Sequence, residues 1–223
     1  MIKKLSKKAS LLSALVLTMA LFAGCSNEKE NQKVADIEVK TIATKELQDK
    51  LSDDSWVVVD SRINVAFNGW KLDEVERGGH IKGAVDFSAN WLTVDSKDKE
   101  KTLDKALETK GIEKDKNIVL YDANGKDAKE VANYLSEKGY KNLYTYNVAD
   151  WAKDESLPME SYENYEMIVP ATIVNDILDG NKPETFENSK NIKIVEASWG
   201  EESEAYSKGH VPTSVHINTD TVE

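Results

Sequence analysis

The stretch "NIVLYDANGKDAKEVANYLSEKG", residues 117–139, limits the architecture more than any other part of the chain. Its first six residues are dominated by apolar and β-branched side chains and read as a buried strand ending at Asp122. After a short loop, Ala128, Val131, Ala132 and Leu135 recur at i, i+3, i+4 and i+7, which is one face of an amphipathic helix. Gly139 falls where a left-handed C-terminal cap belongs. In sheets built from such units the functional loops lie beyond the carboxyl ends of the strands, and Asp122 stands at one of those ends.

The alternation extends along the chain. "TIATKELQDKLSDDSWVVVDSR" predicts a helix carrying Leu47 and Leu51, then a buried strand from Trp56 to Val59 that ends at Asp60-Ser61-Arg62. The segment up to about Arg77 has no period and reads as loop, feeding a short strand around Ala84 to Phe87. Residues 97–112 place Leu103, Ala106 and Leu107 on one helical face, with Gly111 as a stop. "KNLYTYN" predicts one more strand. Strands alternating with helices imply an α/β fold, a central parallel sheet flanked by helices in three layers. Trp56, Trp70, Trp91 and Trp151 read as core and rim aromatics, with a pocket lining near the loop as the other role open to them.

The first 24 residues are of another kind. Lys3, Lys4, Lys7 and Lys8 precede "LLSALVLTMALFAG", an apolar run too short for a comfortable membrane span, so they read as an export signal. Its end, "LFAGC", resembles the lipobox of bacterial lipoproteins, which implies lipidation of Cys25 and an extracytoplasmic protein anchored to the cell membrane. An ordinary signal peptide followed by a stray thiol is the competing reading, and an unpaired thiol is an oddity in an exported protein. Residues 25–38 are polar and without period, a tether. Loss of the leader removes four lysines and no acid, taking the formal net charge from −11 to −15. So acidic a surface disfavours nucleic acid, and leaves the lipid on Cys25 as the means of membrane attachment.

Cys25 is the sole cysteine of the 223 residues, which excludes disulfides, thiolate metal sites and cysteine nucleophiles from the folded body. His80, His210 and His216 do not have a zinc-binding spacing. Neither a metal nor a cofactor is expected.

The chain also repeats itself. "VVVDSR" at 57–62 with "GHIKGAVDFSANWL" at 79–92 matches "KIVEASW" at 193–199 with "GHVPTSVHINTDTVE" at 209–223. No counterpart of the 117–135 strand, loop and helix follows the second copy. The organisation expected is a signal peptide at 1–24, a tether at 25–38, one domain at 39–168 and the start of a second at 169–223. Such a stub falls below the size at which a core stands alone, so either the chain is a truncated form of a longer protein or the stub packs on the first domain.

Taken together, "VVDSR", "GHIKGAV" and "IVLYDANGKDAKEVANYLSEKGYKNLYTYNVADW" resemble the rhodanese, or sulfurtransferase, family, and the two copies resemble its tandem form. The resemblance implies sulfur carried as a persulfide on a cysteine at the first position of the loop. The loop amides and the positive end of the helix dipole would favour that thiolate. Here the position is Asp122, followed by Ala123, Asn124, Gly125, Lys126 and Asp127. A carboxylate cannot take up and release sulfane sulfur. Asp122 is expected to cap the cradle, accepting hydrogen bonds from the amides near Gly125 to Asp127, rather than to act as nucleophile or general acid. In tandem members the catalytic cysteine belongs to the second domain's loop.

The resemblance makes Asp60 and Arg62 fixers of local loops. His80 and His210 are expected to hydrogen-bond within the turn before a strand. Lys126 is either a solvated lysine or an attraction for an anion. A phosphatase of the cysteine-loop type is excluded, because "DANGKDA" holds neither its cysteine nor its arginine. Two functions follow: a lipid-anchored rhodanese-like protein related to thiosulfate sulfurtransferases but inactive by itself, or a complete non-catalytic rhodanese-like binding or scaffolding module. Its partners would be the membrane and either an anionic sulfur compound or a protein.

Overall fold

A computed structural model describes residues 38–202 and 205–221. The export signal, Cys25 and the tether up to residue 37 lie outside the described residues.

Five strands form the main sheet: β1 (Lys40–Thr41), β2 (Trp56–Asp60), β4 (Val85–Asp86), β5 (Asn117–Asp122) and β6 (Leu143–Asn147). Their order is β1-β6-β5-β2-β4, and every pairing is parallel. Alternation along the strands sends side chains to two cores. Val59, Ile118, Leu120 and Leu143 pack with Leu103 and Leu107 of α3 (Lys99–Thr109) and with Ala128, Val131, Ala132 and Leu135 of α4 (Asp127–Glu137). On the other face Val58, Val119, Tyr121 and Tyr146 meet Leu47 of α1 (Thr44–Lys50) and Val148, Trp151 and Ala152 of α5 (Val148–Ala152). Three layers result, helices over both faces of a parallel sheet.

Both long helices end as their glycines require. Gly139 (φ 87°) follows α4, where the Tyr140 amide donates to Leu135 O and the Gly139 amide to Ser136 O. Gly111 (φ 65°) ends α3 in the same way, with Ile112 N donating to Leu107 O and Gly111 N to Glu108 O. These paired bonds satisfy the last carbonyls, and Tyr140 and Ile112 drop into the core.

Several short elements carry no sequence period. Residues 63–77, expected as loop, contain α2 (Asn64–Asn68). The hinted strand at 84–87 is only Val85–Asp86, and β3 (His80–Ile81) pairs antiparallel with β7 (Met159–Glu160). These are two-to-five-residue pieces held by tertiary contacts, below the length at which periodicity can register.

Beyond residue 160 the chain straps across the first domain. Tyr162 N donates to Asn68 O, Trp70 Nε1 donates to Ile168 O, and the Tyr165 ring meets Trp70 edge-on at 5.5 Å. A β-carbon on Gly69 would lie 2.3 Å from that tyrosine ring, so the crossing demands glycine. After α6 (Ala171–Leu178) come β8 (Val195–Ser198) and β9 (Val215–Asn218), a parallel pair.

The second copy repeats the first in register. In the main sheet Val59 faces Val85 and Asp60 faces Asp86; in the small ladder Val195 faces Val215 and Glu196 faces His216. The histidines repeat as well. His80 stacks on Phe67 at 3.8 Å and its Nδ1 lies 2.8 Å from Phe67 O. His210 stacks on Tyr206 at 3.8 Å with Nδ1 2.8 Å from Tyr206 O.

Candidate functional site

Asp60, Asp122 and Asn147 end three adjacent strands, through the registers Asp60 to Tyr121 and Asp122 to Asn147. Asp60 and Asp122 are both buried.

Asp122 is held by the loop that follows it. Its Oδ1 accepts the amide of Gly125 and its Oδ2 the amide of Ala128, both at 2.9 Å. Ala128 is the second residue of α4, and the residue preceding that helix, Lys126, makes no side-chain cap. Asp122 therefore satisfies a helix-end donor from six residues away, at the positive end of the helix dipole. The amides differ in part from those expected. Lys126 N turns instead to Asn124 Oδ1 at 2.9 Å, so the carboxylate spans from Gly125 to Ala128. Gly125 (φ 73°) allows the reversal, in open space that imposes no crowding on it.

Arg62 locks the neighbouring strand end. Its Nη2 lies 2.6 Å from Asp60 Oδ2 and its Nε 3.0 Å from Oδ1, while the Arg62 amide also donates to Oδ1 at 3.0 Å. The same Nη2 donates to Gly79 O at 2.7 Å, tying β2 to the loop before His80. Burial pulls the guanidinium's affinity for its proton down, but the hydrogen bonds and charge of Asp60 outweigh it and hold Arg62 above its ordinary pKa. Tyr121, wholly buried beneath, is pushed well above the ordinary phenol by burial and then by Asp60, and its hydroxyl accepts the Ile81 amide at 3.2 Å.

The loop rim is acidic. Asp127 is raised above the usual carboxylate range, first by burial and then by the charges of Asp122, Asp73, Glu130 and Asp60. Asp73 (φ 56°) and Glu74 (φ 59°) occupy the two central places of a turn closed by Val75 N donating to Leu72 O. Those angles at both centres define a type I′ turn, which favours Asn or Gly. Lys126 is exposed and makes no ion pair among the described residues.

Beside Asp122 a cavity of about 390 Å³ opens between the ends of β1 and β6 and the start of α4, lined by Thr41, Gly125, Lys129, Asn133 and Tyr146 among others. None of the tryptophans lines it. Trp151 and Trp70 are buried and Trp56 and Trp91 half-buried, away from this mouth. Among the described residues no cluster of His, Cys, Asp and Glu is arranged to hold a metal.

The arrangement presents a helix-end amide cradle already filled by a carboxylate and braced by a buried Asp-Arg fork. His80 sits outside it: its Nδ1 reaches back to Phe67 O, and its Nε2 lies 3.5 Å from Glu160 Oε1. His210 is exposed, in the second copy. The structure thus gathers Asp60, Arg62 and the 122–127 loop at one sheet end, and leaves the two histidines to anchor turns.

Residues 43–152 match the rhodanese-like domain, and this portion of the chain is a domain of that kind. Solved structures agree. Wild-type EanB superimposes with a TM-score of 0.71 at 29% identity, over 84% of this chain and 42% of that one. The anaerobic ergothioneine biosynthesis enzyme from Chlorobium limicola, in complex with its natural substrate trimethyl histidine, gives 0.71 at 30%, over 83% and 42%. An EanB variant whose ergothioneine is covalently linked with a persulfide cysteine gives 0.70 at 29%, over 82% and 41%. This chain therefore spans about two fifths of the length of these enzymes. Comparison with curated proteins finds no match.

Proposed function

We propose that the protein is a membrane-anchored, rhodanese-like relative of the thiosulfate sulfurtransferases that does not transfer sulfur by itself. One observation carries this: the Asp122 carboxylate occupies the loop cradle and accepts the amides of Gly125 and Ala128. A persulfide-carrying site needs a thiolate at that place, and a carboxylate has neither a sulfur to extend nor a means of releasing one. The second copy contributes β8 and β9, and among the described residues no loop of the 122–127 type belongs to it. Lipid on Cys25 would hold the protein on the outer side of the cell membrane, and Cys25→Ser would release it.

The test is an assay with thiosulfate and cyanide in a Cys25→Ser background, which leaves the whole chain without a thiol. No thiocyanate is expected; turnover by this protein would overturn the proposal. With Asp122→Cys the loop thiolate can take the sulfane sulfur of thiosulfate, releasing sulfite, and pass it to cyanide, regenerating the thiolate. A second reading, a non-catalytic binding module, is favoured by the burial of Asp122, 1% exposed, which seals the cradle with the chain's own anion. Unchanged inactivity after Asp122→Cys, in a correctly folded protein, would favour that reading.

A further inference from the structure

The chain contains two Asn-Gly pairs, Asn68-Gly69 and Asn124-Gly125. An asparagine before glycine can close on itself: the glycine amide nitrogen attacks the side-chain carboxamide carbon, and glycine has no β-carbon to obstruct the approach. The closure is assisted by a base for the amide proton, a donor for the oxyanion and a side chain bent back over its own peptide. The 122–127 loop supplies all three. Gly125 N–H is directed at Asp122 Oδ1, 2.9 Å away and within reach for proton transfer. Lys126 N–H donates to Asn124 Oδ1 at 2.9 Å, which polarises the carboxamide and folds the side chain over the Asn124-Gly125 peptide. The other pair lacks this arrangement. Gly69 N donates to a backbone carbonyl, Val65 O, at 3.3 Å, and the Tyr165 ring fills the space beside the glycine.

We propose that Asn124 is a self-modification site, deamidated through a succinimide by its own loop with Asp122 as general base. The bond from Gly125 N to Asn124 Cγ forms as the amide proton passes to Asp122 Oδ1, and negative charge gathers on Asn124 Oδ1 against the Lys126 amide. The bond from Cγ to the carboxamide nitrogen then breaks, and ammonia leaves with the proton that Asp122 returns. Water opens the succinimide at either carbonyl, giving aspartate or isoaspartate at position 124 without oxidation or reduction. The isoaspartate product lengthens the backbone by one carbon and draws the Gly125 amide off Asp122, so the seal on the cradle loosens as the protein ages. Nothing in this chemistry depends on whether sulfur is transferred, so the thiocyanate assay and the mapping below fail independently.

The test incubates the full chain, folded and in urea, and follows both Asn-Gly pairs by peptide mapping with mass spectrometry, which reads the replacement of NH2 by OH. Asn124 is expected to deamidate at least about tenfold faster in the folded chain than in urea, and faster than Asn68. Its folded rate should stay level across neutral pH, because a carboxylate takes the proton, whereas the rate in urea should follow hydroxide. Asp122→Asn keeps an oxygen acceptor for the two amides and removes the base, and should slow the reaction at Asn124 about a hundredfold. The comparison of folded and unfolded wild-type chain decides the matter even where that variant fails to fold. A folded rate below the rate in urea, a folded rate that rises with hydroxide, or a folded Asp122→Asn that reacts as fast as wild type overturns the assignment, because the carboxylate then only restrains the amide.

Discussion

Asp122 Oδ2 and the amide of Ala128 lie 2.9 Å apart across six residues, joining the end of β5 to the first turn of α4 through a side chain. Asp122→Ala leaves that buried amide and the Gly125 amide without their acceptor. A loss of about 2 kcal/mol is expected, because an unmade buried hydrogen bond costs its full desolvation. Denaturant unfolding measures it, and a loss of only a few tenths would mean that water or the loop replaces the carboxylate.

Removing Arg62 leaves Asp60 as an uncompensated charge at a fully buried position. Arg62→Ala should destabilise by about 3–5 kcal/mol. Arg62→Lys should recover only part of this, since an ammonium cannot reproduce the fork to both oxygens and also reach Gly79 O. Thermal unfolding of the two variants ranks them.

The acidic rim gives a pH signature. Asp127 holds its proton more tightly folded than unfolded, so its contribution falls as pH rises from the ordinary carboxylate pKa, about 4, through its raised value. Asp127→Asn should therefore raise the melting temperature near neutral pH. The gain should shrink as pH drops below that window, where both forms are uncharged; a constant gain would point to helix propensity instead.

Glu74 sits left-handed in the type I′ turn, a conformation that costs a residue with a β-carbon about 1–2 kcal/mol. Glu74→Gly should stabilise the chain by up to about 1 kcal/mol, the remainder being offset by glycine's greater freedom when unfolded. Denaturant midpoints decide it.

Gly69→Ala drives a methyl group into the Tyr165 ring and should cost about 1–3 kcal/mol. The cost should largely vanish when Tyr165→Ala is added, a coupling read from the four-member mutant cycle. Persistence of the full cost would place the strain in the backbone.

The parts of the fold that could be read from the sequence are those with enough length to show a period. Leu103 and Leu107, or Val131 and Leu135, declare a helix because several turns repeat one face. Asp122 as an amide acceptor follows from the loop's place before a helix. Its use of Ala128, rather than Lys126 or Asp127, depends on Asn124 claiming the Lys126 amide, a choice set by loop geometry. Arg62 bonding Gly79 O and Tyr165 lying on Gly69 are contacts made across 17 and many more residues, with no local pattern to announce them. The same holds for α2 and β3, too short for any period.

Val59 and Val195 hold one register position in two surroundings, sealed in the first copy and 46% exposed in the second. Among the described residues the two positions thereby compare a parallel ladder under helices with one whose outer valine is open to solvent. Amides of β2 should exchange with solvent only through global unfolding, while those of β8 should open in local excursions independent of the main sheet. The difference between their opening free energies measures the cooperativity that the extra layer confers.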